Sequence, residues 1–221
     1  MKTRATAVVF ALLISFALSG MALAQTNVTM DAAKINLGYM NVFNLPVDGG
    51  GFQFGSPWGI ADLNAAYAGN VVTMSPNSIG DPAPYWYIGG GMPGSPGNKI
   101  MEANLYAEEN GPLAGQTVTF SGEVLATSLT GAHAVVAFVK DYAPDFSSYN
   151  VSSVALTATG QFSVSLATVN NPARHVQWGL QMTGVNVWFT DVAPFGNIVV
   201  GPYMPVSQEP TSFGGVKALF R

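Results

Sequence analysis

Polar and apolar residues alternate with period two along much of the chain. This is the pattern of strands that bury one face and wet the other. In 117–125, Val118, Phe120, Gly122 and Val124 fall on one side, and Thr117, Thr119, Ser121 and Glu123 on the other. In 161–167, Phe162, Val164 and Leu166 oppose Ser163 and Ser165. In 174–182, Val176, Trp178, Leu180 and Met182 oppose His175, Gln177 and Gln181. In 101–108, Met101, Ala103, Leu105 and Ala107 oppose Glu102, Asn104, Tyr106 and Glu108. Less regular runs at 38–45, 60–67, 70–75, 85–88, 133–141, 151–157 and 197–201 read as further strands, with 62–67 alternatively one helical turn. Glycine, proline and asparagine clusters at 48–51, 110–112, 159–160 and 170–172 punctuate these runs, and 89–97 is the longest loop.

Strands with one wet and one dry face predict antiparallel sheets packed face to face. The length suits an all-β fold, an antiparallel β-sandwich of jelly-roll type, formed as one domain over 25–202. Two tandem sandwiches linked by 89–97 are the alternative, without an internal repeat to support them. The composition agrees: charged residues make up only 9%, while 25 Gly and 14 Pro accompany 13 Phe, 8 Tyr and 4 Trp. Such a chain has enough apolar surface to offset the entropy of ordering.

The first 24 residues read differently. Lys2 and Arg4 precede an uninterrupted apolar run over 5–18, and Ala22-Leu23-Ala24 puts small residues at −3 and −1 of a cut before Gln25. That is a cleavable export signal, expected as a helix, and the run is short for a membrane span; a retained anchor is the alternative. The expected product is secreted, extracellular or at the cell surface, with no span in its mature part. Cleavage would leave six cations against twelve acids. A net negative surface without a basic cluster disfavours nucleic acid as a partner. Cysteine is absent, which removes thiol catalysis and thiolate metal sites. After 202 the pattern stops, and 203–221 is expected to be a flexible tail.

Catalytic options are few. Ser121, His175 and Asp191 make a triad only combinatorially, with no nucleophile elbow in the sequence. Both histidines, His133 and His175, are expected on the solvent faces of strands. Glu102 and Glu123 lie on the polar sides of consecutive predicted strands, so a glycosidase acid pair is conceivable. Binding features are richer. Tyr85, Trp86 and Tyr87 are consecutive, so a strand there would turn at least one ring outward. Trp58 and Trp188 sit beside turn formers, whereas Trp178 belongs to the apolar side of its strand. An exposed Tyr or Trp offers a sugar ring a flat face and a polar edge. A second surface is the polar side of adjoining strands, where Glu102, Asn104 and Tyr106 could share a face with His175, Gln177 and Gln181. Those amides can read hydroxyls, and the face as read carries no lysine. Asp62, Asn98 and Asp191, with Asn64 and Asp81, are hard oxygen donors near strand ends, suited to a structural calcium.

The runs WGIADL (58–63), GNKIMEANLY (97–106), GQTVTFSG (115–122) and HVQWGLQ (175–181) resemble extracellular bacterial β-sandwich modules of the jelly-roll, galactose-binding-like kind. The resemblance spans about 55–202. It implies a non-catalytic carbohydrate-binding module whose partner is a polysaccharide or other glycan, with a structural calcium as a further implication. On this reading the module is expected to stand alone, without a catalytic domain attached. The alternative is a structural or adhesive surface protein acting through self-assembly or contacts with other surface proteins.

Overall fold

The computed structural model describes residues 24–203. The segments expected to be an export signal, apart from Ala24, and a tail beyond Tyr203 lie outside the described residues. The elements are β1 (Gln25–Thr29), β2 (Leu37–Asn44), β3 (Phe52–Pro57), β4 (Ala65–Ala68), β5 (Val71–Met74), β6 (Ser78–Ile79), β7 (Lys99–Asn110), β8 (Thr117–Thr127), β9 (His133–Tyr142), β10 (Tyr149–Ala155), β11 (Gly160–Ala167), β12 (His175–Val185), β13 (Val187–Trp188) and β14 (Ile198–Gly201). One sheet has the order β10-β9-β12-β7-β2-β3 and is antiparallel throughout. In the other, β11 takes one edge of β8, while parallel β1 and antiparallel β14 share the opposite edge, followed by β5 and β4.

The pairings nest. β9 pairs with β10, β8 with β11, β7 with β12, β6 with β13 and β5 with β14. A long hairpin rolled around a core gives this arrangement, and the all-β sandwich of jelly-roll type expected from the alternation is what forms. Only the two-residue pair β6–β13 departs from it, by running parallel.

The alternating apolar sides fill the space between the sheets. Met101, Ala103, Leu105, Val118, Phe120, Val176, Trp178, Leu180 and Met182 are buried there. Each large side chain so buried contributes about 1.5–3 kcal/mol. The polar sides of β7 and β12 face outward in register, with Gln177 opposite Glu108 and Gln181 opposite Asn104.

Three expectations fail locally. Residues 85–88 form a turn, not a strand: the Trp86 and Tyr87 amides both donate to the Ala83 carbonyl. Pro82 and Pro84 fix φ there and supply no donor for a ladder. The 60–67 run opens with a 3₁₀ turn at Ala61–Leu63, and only Ala65–Ala68 is strand. Strands β1, β3, β6 and β13 had no alternation to announce them. β3 carries Gly55 and Pro57, which weaken a strand signal, and β6 and β13 are two residues each.

A polar, phenol-rich face as the candidate binding site

The outer face of the β10-β9-β12-β7-β2-β3 sheet is built by period two alone. β2 turns Tyr39, Asn41 and Phe43 outward, and β7 turns Glu102, Asn104, Tyr106 and Glu108. β12 adds His175, Gln177 and Gln181, β9 adds Phe138, Lys140 and Tyr142, and β10 adds Tyr149, Val151 and Ser153. Two hollows open on this face. One, of about 480 Å³, is lined by Tyr39, Asn41, Asn104, Tyr106, Glu108, Tyr142, Phe146 and Gln177, with Pro57 at its margin. The other, of about 430 Å³, shares Asn41 and Tyr142 with the first and continues over Glu102, Lys140, Gln181 and Phe138. Gly179 sits between Tyr106 and Phe138 on this face. A Cβ there would collide with the Leu105 carbonyl oxygen, so the strands approach closely and no side chain rises between the two rings.

The polar groups of the first hollow are held in place. Glu108 accepts from Gln177 Nε2 at 2.7 Å and lies 2.9 Å from His175 Nδ1. The His175 ring stacks on Phe146 at 4.2 Å. Tyr142 packs against Phe146 at 5.6 Å and Tyr149 at 4.9 Å. Burial pushes the Tyr142 phenol well above its ordinary range, and the nearby Tyr149, Glu102, Tyr106 and Tyr39 add to that. Burial likewise raises Tyr106, with Glu108 and Tyr39 adding. These phenols are therefore protonated hydrogen-bond donors at any physiological pH.

Deeper in the face the polar groups are buried. Lys140 is 7% exposed and Asn104 5%. Lys140 Nζ donates to Asn104 Oδ1 at 2.9 Å and to Gln181 Oε1 at 3.1 Å, and lies 4.2 Å above the Phe138 ring. Asn104 Nδ2 donates to Glu102 Oε1 at 3.2 Å, as does Asn41 Nδ2 at 2.9 Å. Burial lowers the Lys140 ammonium from its usual value, against a smaller raising pull from Glu102.

The structure thus brings Glu102, Asn104, Tyr106, His175, Gln177 and Gln181 onto one face. It also corrects the reading of that face as free of lysine. Lys140 lies at its centre, hidden from the sequence pattern because 134–139 is apolar on both sides. Tyr39, Asn41, Tyr142, Phe146 and Tyr149 were missed as well. For Tyr142 and Lys140 the signal was present as Phe138-x-Lys140-x-Tyr142, a period-two row.

The indole-and-tyrosine group does not join this face. Tyr87 is fully buried, its hydroxyl 2.5 Å from the Ile79 carbonyl and 2.8 Å from that of Val187. Trp188 is buried, with its ring 5.2 Å from that of Tyr87. Trp86 packs between Phe54 and Tyr85, and Lys99 sits over the Tyr85 ring. Trp58 is half-buried, donates to Ser56 Oγ at 2.9 Å, and borders a separate hollow with Asp62. Trp178 is core, as its alternation indicated. Of these rings only Tyr85 is exposed.

The remaining candidates separate too. Glu123 projects from β8 in the opposite sheet, so Glu102 and Glu123 lie on opposite outer faces and form no acid pair. Consecutive strands had suggested neighbours, but the chain changes sheet between β7 and β8. Ser121 shares the face of Glu123 and does not meet His175. His133, expected on a wet face, is buried, with its ring over Gly184 and edge-on to Phe195. Asp191 Oδ2 accepts from the Gly94 amide at 2.6 Å, and Asn98 donates to the Pro84 carbonyl at 3.1 Å. Asp62 and Asp191 border different hollows, and Asn98 lines neither. Among the described residues no three His, Asp or Glu side chains gather closely enough to hold a metal ion.

No family model matches the chain, and no curated protein matches it in sequence. Among solved structures, a carbohydrate-binding module of the β-sandwich superfamily is similar at a TM-score of 0.35 and 13% identity, over 75% of this chain and 73% of its own. A likeness that loose carries no argument about function. No helix among the described residues is long and apolar enough to cross a membrane.

Proposed function

We propose that the protein binds glycan, without transforming it, on the outer face of the β10-β9-β12-β7-β2-β3 sheet. The observation that carries this reading is the first hollow itself. Tyr39, Tyr106 and Tyr142 converge there with a Gln177–Glu108 pair whose geometry is fixed by hydrogen bonds. Phenol rings supply flat apolar surface and a donor at the edge. An amide beside a carboxylate supplies the paired donor and acceptor that adjacent sugar hydroxyls demand. The aromatic walls are preorganised, so little ordering entropy opposes binding. On this reading the chain is exported and the signal over 1–24 is removed.

Isothermal titration against polysaccharides selected on a glycan array tests it. Tyr106→Ala and Gln177→Ala are expected to weaken binding at least about tenfold, the loss of one good hydrogen bond or ring contact. Trp86→Ala, remote from the face, is expected to leave the affinity of the folded protein unchanged. A protein that binds no glycan, or binds equally well after both face substitutions, overturns the reading.

A further inference from the structure

We propose that Lys140 and Asn104 join in an isopeptide bond across the β10-β9-β12-β7-β2-β3 sheet, with Glu102 carrying the protons. This goes beyond the glycan reading and does not depend on it.

Asn104 stands between the other two groups, bonded to each through a different atom of its amide. Lys140 Nζ is 2.9 Å from Asn104 Oδ1. With a C=O bond of ~1.23 Å, the nucleophilic nitrogen sits about 3–4 Å from Cγ, close to an attack distance. The nitrogen that must leave, Asn104 Nδ2, already donates to Glu102 Oε1 at 3.2 Å. Asn41 Nδ2 fixes that same oxygen from the other side at 2.9 Å. Lys140 and Asn104 are both at least nine-tenths buried, so hydrolysis of the product is hindered.

The site makes little sense as a resting arrangement. Among the described residues Lys140 makes no ion pair, and its ammonium is held on two amide oxygens over a phenyl ring. A buried cation without a partnered anion is costly. Burial instead favours the neutral amine, which is the nucleophile.

The step balances without an added reactant. Starting from the ammonium, Nζ yields one proton to the Glu102 carboxylate, and the freed lone pair forms the Nζ–Cγ bond. Glu102 passes that proton to Nδ2 and takes the second from the now cationic Nζ. The carbonyl re-forms, and the Cγ–Nδ2 bond breaks with its electron pair on Nδ2. Nζ retains one hydrogen, and Glu102 gives the second proton to the departing ammonia, which leaves as ammonium. The product is a neutral secondary amide linking β7 to β9 across β12, and the buried charge is gone.

Trypsin digestion of the full chain followed by mass spectrometry decides the matter. A lysine acylated on Nζ is not cut, so the peptides 100–140 and 141–174 are expected as one product, lighter by one ammonia. Glu102→Gln, Lys140→Arg and Asn104→Ala are expected to give the two separate peptides at unmodified mass. Asn104→Asp is expected to restore the joined product with loss of water instead of ammonia. Separate, unmodified peptides from the wild-type protein overturn the proposal whatever the variants do. A joined product that persists in Glu102→Gln overturns the role given to Glu102.

Discussion

At the scale of single residues, burial gives several polar side chains structural roles. His133 is 6% exposed, and burial lowers its imidazole from the usual value, against a weaker raising effect of the Val185 carbonyl. The unfolded chain takes up this proton near the ordinary histidine value of about 6.5, and the folded chain only at lower pH. Below that value the unfolded state binds more protons, so stability falls as pH drops. Thermal melts between roughly pH 7 and pH 5 are expected to decline more steeply for the wild type than for His133→Gln. Equal slopes would show that His133 does not contribute. Tyr87 is a second case. Its hydroxyl lies within hydrogen-bond reach of two carbonyls, one preceding the 82–97 segment and one on β13. Tyr87→Phe is expected to cost about 1–3 kcal/mol in urea unfolding by leaving buried acceptors short of a donor. Glycan affinity should not change, because Tyr87 is remote from the face.

At the scale of elements, one strand end is clasped by side chains. Asp141, near the end of β9, is completely buried. Its Oδ1 accepts from Arg174 Nε at 2.7 Å and its Oδ2 from the Val169 amide at 2.8 Å. Arg174 Nη2 also reaches the Asp141 carbonyl at 2.6 Å. This clasp ties β9 to the segment that joins β11 and β12. Asp141→Ala removes one partner and leaves a partly buried guanidinium unpaired. The expected loss is about 3–5 kcal/mol, read as a lowered midpoint in denaturant. Substitution of an exposed acid such as Asp145 should cost far less, and similar losses for both would show that the clasp has no special weight.

At the scale of the whole molecule, nesting brings sequence-distant strands together. β7 and β9 flank β12, and the side chains of Glu102, Asn104 and Lys140 meet only because of that order. The Lys140–Asn104 link closes a loop in the unfolded chain. By the loop-closure entropy that cross-links exploit, it adds about 3–4 kcal/mol. Unlinked Glu102→Gln protein is accordingly expected to melt about 10 °C lower by calorimetry, while keeping the far-ultraviolet signature of the sandwich. A melt unchanged from the wild type would contradict a stabilising link.

The sequence by itself determined the strands that alternate cleanly, β7, β8, β11 and β12, and which side of each is dry. It determined Trp178 as core, and it put Glu102, Asn104 and Tyr106 on one side of β7 and His175, Gln177 and Gln181 on one side of β12; the pairing of β7 with β12 made those two sides one face. Period two is a property of one strand's own backbone, so it is written locally. Which strands become neighbours was decided by how two sheets roll around a shared core, and no local pattern records that. Glu102 and Glu123 therefore looked adjacent and stand on opposite faces. Tyr87 and Trp188 looked like ligand plates and are packing. Lys140 lies beside Asn104 only because β12 sets β7 and β9 at the right separation for those two side chains to meet.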